Sequence, residues 1–397
     1  MDYPIVFIPG LFGSLGDEVI PGTGNFSFGL AEGIYKPFIK ILNSIGYVEG
    51  ENLFVSYYDW KNSILKSTDK YLDKDIKKVK KKTGSKKVIL IGHSLGGLLG
   101  RSYMTYFSSS SVDKLIMIGT PNFGAANAYY FWSGGRLPYP RVERNILYNG
   151  IKLGFILYFQ LFHNEGYLKP LRKLFPVVQD LLPSYDYGNY LYYEEDGERK
   201  EIPIEKMSVK NPFLSKLNQR PINRANTFLI TGKGEETSME FLVDLNKGKQ
   251  NIWVDGEPIG VNKTNYGDGT VTTFSSLGNL GQQYIIIEGD HTNILYRSQE
   301  YLAKVLNKPI SERIFIKEVE KLHLIFADNC REMEIITSDT SRISTEKSDI
   351  RDKRLQVINL GNNRFWIMAK GDKDLEVGLN MTNKVKREAN IYQTSLG

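Results

Sequence analysis

An α/β architecture, in which a mostly parallel sheet carries helices on both faces, is what the sequence predicts, and three observations support it. Between residues 1 and 120, short unbroken apolar runs alternate with segments of helical spacing. Strands that are apolar throughout belong to parallel sheets sandwiched between helices. The rhythm breaks after Pro121 and resumes at Asn226–Thr231 (NTFLIT), so a long insertion interrupts one sheet. From about Pro309 the chain turns to short alternating runs between polar turns, the pattern of a small antiparallel β domain.

Taken in order, Ile5–Ile8 is a first strand, closed by Pro9-Gly10. Leu30–Ile45 is a helix with Ile34, Phe38, Ile41, Leu42 and Ile45 on one face. Leu53–Tyr58 is a strand, Ile64–Lys82 a polar-faced helix stopped near Gly84, and Val88–Ile91 a β-branched strand. Leu95–Phe107 is helical and Leu115–Ile118 a buried strand. The insertion, 121–225, is crowded with aromatics, among them Tyr129, Tyr130, Phe131, Trp132, Tyr148, Phe155, Tyr158, Phe159 and Phe162. It is expected to contain helices and to lie over the carboxyl end of the sheet, since a long insert without regular structure is unusual. Residues 240–260 suggest a β-hairpin excursion, placed at about 235–262. Tyr284–Ile287 reads as a last buried strand and Ser298–Leu306 as a last helix. The runs Leu322–Phe326, Met333–Thr337, Leu355–Leu360, Arg364–Ala369 and Leu375–Asn380 form the β domain. The expected division is therefore a domain over 1–308 carrying the insertion and the excursion, and a second over 309–397.

Composition narrows the function. The formal net charge of +6 over 397 residues is mild, and no zinc finger or RNA-binding signature appears, so no nucleic-acid partner is expected. Part of the excess lies in Lys77–Lys82 (KKVKKK). The plain reading is a solvated helix face, and docking to anionic lipid head groups is the sharper one. The single cysteine, Cys330, excludes an intrachain disulfide, and the four histidines show no metal-ligand spacing. The most apolar window, Ile146–Phe162, is short and interrupted by Lys152, so no transmembrane span is expected. The amino terminus has no basic region followed by an apolar one, which makes a cytoplasmic location the expectation, with a removed leader and secretion as the alternative.

The chemistry starts at Ser94, in Gly92-His93-Ser94-Leu95-Gly96, directly after a strand and before a helix. A sharp strand–turn–helix holds a serine hydroxyl clear of both elements, at the positive end of the helix dipole. A serine nucleophile needs a base, and the base an orienting carboxylate. Of the later histidines, His163 lies in the insertion and His323 in the β domain. His291 follows the strand Tyr284–Ile287, at the edge where the serine turn also points. His93 is expected to pack under the turn, directed away from the hydroxyl. Asp268, between Gly267 and Gly269, is the leading acid. Asp290 adjoins the histidine and would have to double around its own backbone, while Asp244 belongs to the excursion. The oxyanion donors expected are the amides of Leu95 and of Leu11, with Phe12 as second choice. This set needs no cofactor and no metal.

Together these residues resemble the lecithin:cholesterol acyltransferase and lysosomal phospholipase A2 family and related bacterial α/β-hydrolase lipases. The matching pieces are Ile8-Pro9-Gly10-Leu11 with Gly13-Ser14, Tyr58-Asp59-Trp60, Gly92–Gly97, Gly119-Thr120-Pro121, Gly267–Val271 and Asp290-His291. The resemblance implies an α/β-hydrolase fold, a Ser94–Asp268–His291 triad, Leu11 and Leu95 as oxyanion donors, and a lid over an acyl pocket at 121–225. Its disulfide-bonded members differ from this one-cysteine chain, and the β domain is outside their pattern. Hydrolysis of a lipid acyl ester, at an interface or not, is the expected activity. A phospholipase or acyltransferase with the same triad is one alternative, and a non-catalytic lipid- or surface-binding protein on the same scaffold is another. Oligomeric state is left open.

Overall fold

The computed structural model describes residues 3–11, 15–16, 26–28, 32–135, 168–248, 252–280 and 283–315, together with strands at 321–328, 334–336, 342–344, 355–361, 364–371 and 390–396. The chain divides into two compact units, the first spanning Met1–Glu143 and Leu168–Ile316 and the second the rest.

The first unit is built on six strands: β1 (Ile5–Ile8), β2 (Leu53–Val55), β3 (Val88–His93), β4 (Val112–Ile118), β7 (Thr227–Lys233) and β10 (Tyr284–Glu288). They hydrogen-bond in the order β10-β7-β4-β3-β1-β2, and all five pairings are parallel. Every residue of β1 and β3 is buried, the consequence of helices on both faces. The register aligns the strand ends: Ile8 lies opposite Gly92, His93 opposite Ile118, Ile118 opposite Ile230, and Ile287 opposite Gly232. Loops leaving these positions therefore emerge along one carboxyl edge.

The helices follow the sequence closely. Helix α1 (Glu32–Ser44) buries Tyr35, Phe38, Ile41 and Leu42. Helices α2 (Ile64–Ser67) and α3 (Asp73–Thr83) are joined by a π turn at Thr68–Leu72, and the run ends at Gly84 with φ 68°, a left-handed cap that glycine adopts without steric cost. Helix α4 (Leu95–Tyr106) follows Ser94 directly.

One expectation needs correction. Strand β10 is not a buried strand: among the described residues it forms the sheet edge, paired to β7 alone, and leaves both Tyr284 and Ile286 exposed. An edge strand has a neighbour on one side only, so an apolar sequence alone does not bury it. Of the insertion's described aromatics, Tyr185 is exposed, whereas those of its first helix are buried. Helix α5 (Ala128–Gly134) buries all seven of its residues, Tyr129 to Trp132 included. A helix apolar all round is a core helix. It packs on a second sheet made of β5 (Leu191–Glu195), β6 (Glu198–Ile202), β8 (Thr237–Asp244) and β9 (Glu257–Thr264), in the order β9-β8-β5-β6. Tyr130 meets Phe241 edge-on at 4.9 Å and Tyr129 meets Tyr190 at 5.9 Å. The predicted excursion is thus the antiparallel β8–β9 pair, joined to a hairpin of the insertion. The insertion also holds helices α6 (Leu168–Leu174), α7 (Val177–Asp180) and α8 (Pro212–Asn218).

In the second unit, β11 (Lys321–Asp328), β12 (Leu355–Gly361), β13 (Arg364–Gly371) and β14 (Asn390–Leu396) form an antiparallel sheet in the order β12-β13-β11-β14. Strand β14 was not anticipated. The run at 375–380, the apolar window 146–162, His163, Cys330 and the later aromatics of the insertion lie outside the described residues, and His323 stands on β11.

Candidate active site

Ser94 has φ 53° and ψ −124°, a conformation that an L-residue adopts only when its surroundings impose it. The surroundings are tight. A Cβ on Gly92 would lie 2.5 Å from the backbone of Gly96 and Gly97, and one on Gly96 would lie 2.1 Å from the carbonyl of Ile8. Only glycine permits this close crossing of strand and helix. The Ser94 amide donates to the Ile118 carbonyl at 2.8 Å, fixing the turn to the end of β4.

Asp268 is 1% exposed, and its two carboxylate oxygens have separate duties. Oδ1 accepts from the amides of Thr270 (2.9 Å) and Val271 (2.7 Å), and Oδ2 meets His291 Nδ1 at 2.7 Å. A carboxylate held by two amides cannot swing away from the imidazole. Since a carboxylate only accepts, Nδ1 carries the proton and Nε2 presents its lone pair. That Nε2 is buried and has no hydrogen-bond partner among the described residues, so Ser94 Oγ is not bonded to it in this structure. Such contacts often close only when substrate arrives.

Glycines bring the groups together. A Cβ on Gly10, just after β1, would lie 2.9 Å from Ser94 Cβ; one on Gly119, just after β4, 3.0 Å from His291 Cε1; and one on Gly232 of β7, 2.5 Å from Asp268 Cβ. Each nominated side chain therefore rests on the end of a neighbouring strand, where a larger residue would push it out. The other acids are occupied elsewhere: Asp290 accepts from the amides of Thr292 and Asn293, and Asp244 from that of Asn246.

Leu95 opens helix α4 and Leu11 sits half-buried in the turn after Gly10, while Phe12 lies outside the described residues. The Gly10 amide is already committed, donating to Tyr35 Oη at 2.8 Å. His93 does pack beneath the turn, with Nδ1 2.9 Å from Tyr35 Oη and Nε2 3.0 Å from the carbonyl of His291. Burial, reinforced by the neighbouring His291 ring, pushes its pKa well below the usual histidine range, so it stays neutral. Tyr35 had no sequence signal beyond its place on an apolar helix face. Among the described residues no cluster of three or more His, Cys, Asp or Glu could hold a metal, and no helix is long and apolar enough to cross a membrane.

A parallel sheet, a strained serine between strand and helix, and a histidine and carboxylate on later loops of the same edge define an α/β-hydrolase fold. Residues 26–149 match the lecithin:cholesterol acyltransferase family, which the chain resembles over that stretch. Among solved structures, the lipase BlEst2 of Bacillus licheniformis in mature form is similar at TM-score 0.38 and 16% identity, covering 77% of this chain and 92% of that one. The Tle4–Tli4 complex gives TM-score 0.49 and 13% identity over 77% and 97%. Phospholipase PlaB of Legionella pneumophila gives 0.38 and 12% over 93% and 81%. No curated protein matches the chain in sequence.

Proposed function

We propose that this chain is a serine carboxylic ester hydrolase acting on acyl esters of lipids. Ser94 is the nucleophile, His291 the general base and then acid, and Asp268 the group that fixes the imidazole. The observation carrying the reading is the buried 2.7 Å contact of His291 Nδ1 with Asp268, which leaves Nε2 unpartnered. Ser94 Oγ attacks the ester carbonyl as Nε2 takes its proton. The tetrahedral oxyanion is met by the Leu95 and Leu11 amides, each worth roughly 10²–10³ in rate. Nε2 returns the proton to the leaving alcohol, and a water activated by the same nitrogen hydrolyses the acyl-enzyme.

A lipid substrate is favoured by the exposed aromatics around the acid loop. Tyr266, two residues before Asp268, is 71% exposed. Phe274 is also exposed, and its ring lies 4.7 Å from that of Tyr187. Apolar surface of this kind is gained back at roughly 25 cal/mol per Å2 when an acyl chain covers it. The insertion over 121–225 is read as the cover of the acyl pocket.

Ser94→Ala should abolish cleavage of p-nitrophenyl esters with folding retained, and a fluorophosphonate should label Ser94 in the parent. Unchanged turnover in that variant would reject the nucleophile, and absence of labelling would favour a non-catalytic binding protein. A panel of acylglycerols and phospholipids, run below and above their aggregation point, separates lipase from phospholipase.

A further inference from the structure

We propose that Tyr35, Tyr58 and His93 act as positioning residues that lock the loop after β1 to the loop carrying His291, so that oxyanion donor and base are held in one fixed relation. The proposal rests on the reading of Ser94, Asp268 and His291 given above.

The peptide unit between Pro9 and Gly10 is held at both edges by buried tyrosines. Tyr58 Oη donates to the Pro9 carbonyl at 2.8 Å, and the Gly10 amide donates to Tyr35 Oη at 2.8 Å. With its plane fixed and the Gly10 amide used, the next amide, that of Leu11, is the first the loop has left for a substrate. The clamp thereby sets the direction of the proposed oxyanion donor.

The other half follows from which groups can donate. The His291 carbonyl only accepts, so the His93 nitrogen 3.0 Å from it, Nε2, carries the proton. Nδ1 is then an acceptor, and Tyr35, whose oxygen already accepts from Gly10, donates to it at 2.9 Å. Three hydrogen bonds thus run in one sense, from the Gly10 amide through Tyr35 and His93 to the backbone of His291. Each member has its partner, and Tyr35, Tyr58 and His93 are 2% exposed or less. A satisfied buried network of this kind orders its members more strongly than separate pairs do. Burial also raises the Tyr35 phenol and lowers His93, which keeps both in the neutral forms that the chain of donors needs. A further bond points the same way. Tyr296, just beyond His291, donates to the carbonyl of Ile34, next to Tyr35, at 2.9 Å. Gly10 leaves no room for slack, since a Cβ there would lie 3.1 Å from Tyr35 Oη and 3.2 Å from His93 Nδ1.

The test uses the full chain and a soluble p-nitrophenyl ester. Tyr35→Phe keeps the ring and deletes the hydroxyl, and Tyr58→Phe does the same at the other edge of the clamp. Each should lower kcat by roughly 10–100-fold with KM within about twofold, because small misplacements of reacting groups cost rate rather than ground-state binding. The rate of Ser94 phosphonylation by a fluorophosphonate should fall in parallel. His93→Gln, whose amide can still donate to the His291 carbonyl, should recover part of what His93→Leu loses. Tyr35→Phe added to His93→Leu should cost little more than His93→Leu alone. Parent-like kcat and labelling in both phenylalanine variants, a loss confined to KM, or multiplicative effects at Tyr35 and His93 would each overturn the proposal. If His93→Leu does not fold, the phenylalanine variants decide. Failure of the underlying reading looks different: the parent itself would then go unlabelled at Ser94.

Discussion

At the scale of single residues, the chemistry proposed for this site depends on side chains that are absent as much as on those present. Gly10, Gly119 and Gly232 stand at the carboxyl ends of three strands of one sheet, and each lies against Ser94, His291 or Asp268. Gly232→Ala puts a methyl 2.5 Å from Asp268 Cβ and 3.0 Å from the Gly289 carbonyl, with a backbone atom that cannot yield. Overpacking of this kind costs roughly 1–3 kcal/mol and moves the carboxylate. The expected outcome is at least a tenfold loss of kcat with a lower melting temperature, whereas Gly33→Ala, with open space around it in α1, should leave kcat within about twofold. Equal kinetics for the two variants would show that the strand ends are not tight. Ser94, Asp268 and His291 were open to nomination as the proposed triad because their local motifs are unusual: a serine two residues from glycine on either side after a β-branched strand, an aspartate between glycines, a histidine after the last strand. Tyr35 was not. A buried tyrosine on a helix face looks like any other core aromatic, and its meaning lies in Gly10 and His93, which are remote in sequence.

Among elements, the parallel strands could be read from unbroken apolar runs because both faces of the sheet are covered. Burial of β10 could not, since edge position is decided by what pairs with it and not by its own residues. The second sheet is legible only in part. Asp196-Gly197 stands between runs that pair Glu195 with Glu198, and both turn residues have positive φ, 53° and 78°. That is the type I′ turn which Asp-Gly favours in a two-residue hairpin. The dipeptide lies within a tract whose pattern is dominated by its aromatics. Gly197→Ala should therefore destabilise the first unit by about 1 kcal/mol, the strain of a left-handed position on a residue with a Cβ. Urea unfolding should show a lower midpoint with the slope unchanged. A midpoint equal to the parent's would mean the hairpin relaxes without cost.

Across the molecule, the insertion is not merely laid on the sheet domain but tied into it, and a carboxylate is among the ties. Asp180, at the end of α7, accepts from the amide of Ile64 at 2.7 Å, and so caps a helix more than a hundred residues earlier in the chain. Asn211 holds the backbone of the same segment, donating to the carbonyls of Asp180 and Leu182 while its own oxygen caps α8. No sequence pattern announces such a link, because capping is usually read from the residue just before a helix and here the acceptor comes from elsewhere. Burial pushes the Asp180 carboxyl up to about 7, against about 3.9 in an unfolded chain. The folded state therefore holds the proton more tightly. Its contribution is fully present below about pH 4 and is lost as pH rises through 7, so stability from this group falls across that window. Asp180→Asn keeps an oxygen for the Ile64 amide and removes the titration. The variant should melt with the parent at pH 4 and above it at pH 8, by roughly 1 kcal/mol or more, equivalent to about 2–4 °C. Thermal unfolding of both proteins from pH 4 to 8 measures the gap, and a gap that stays constant with pH would show that Asp180 remains ionised throughout.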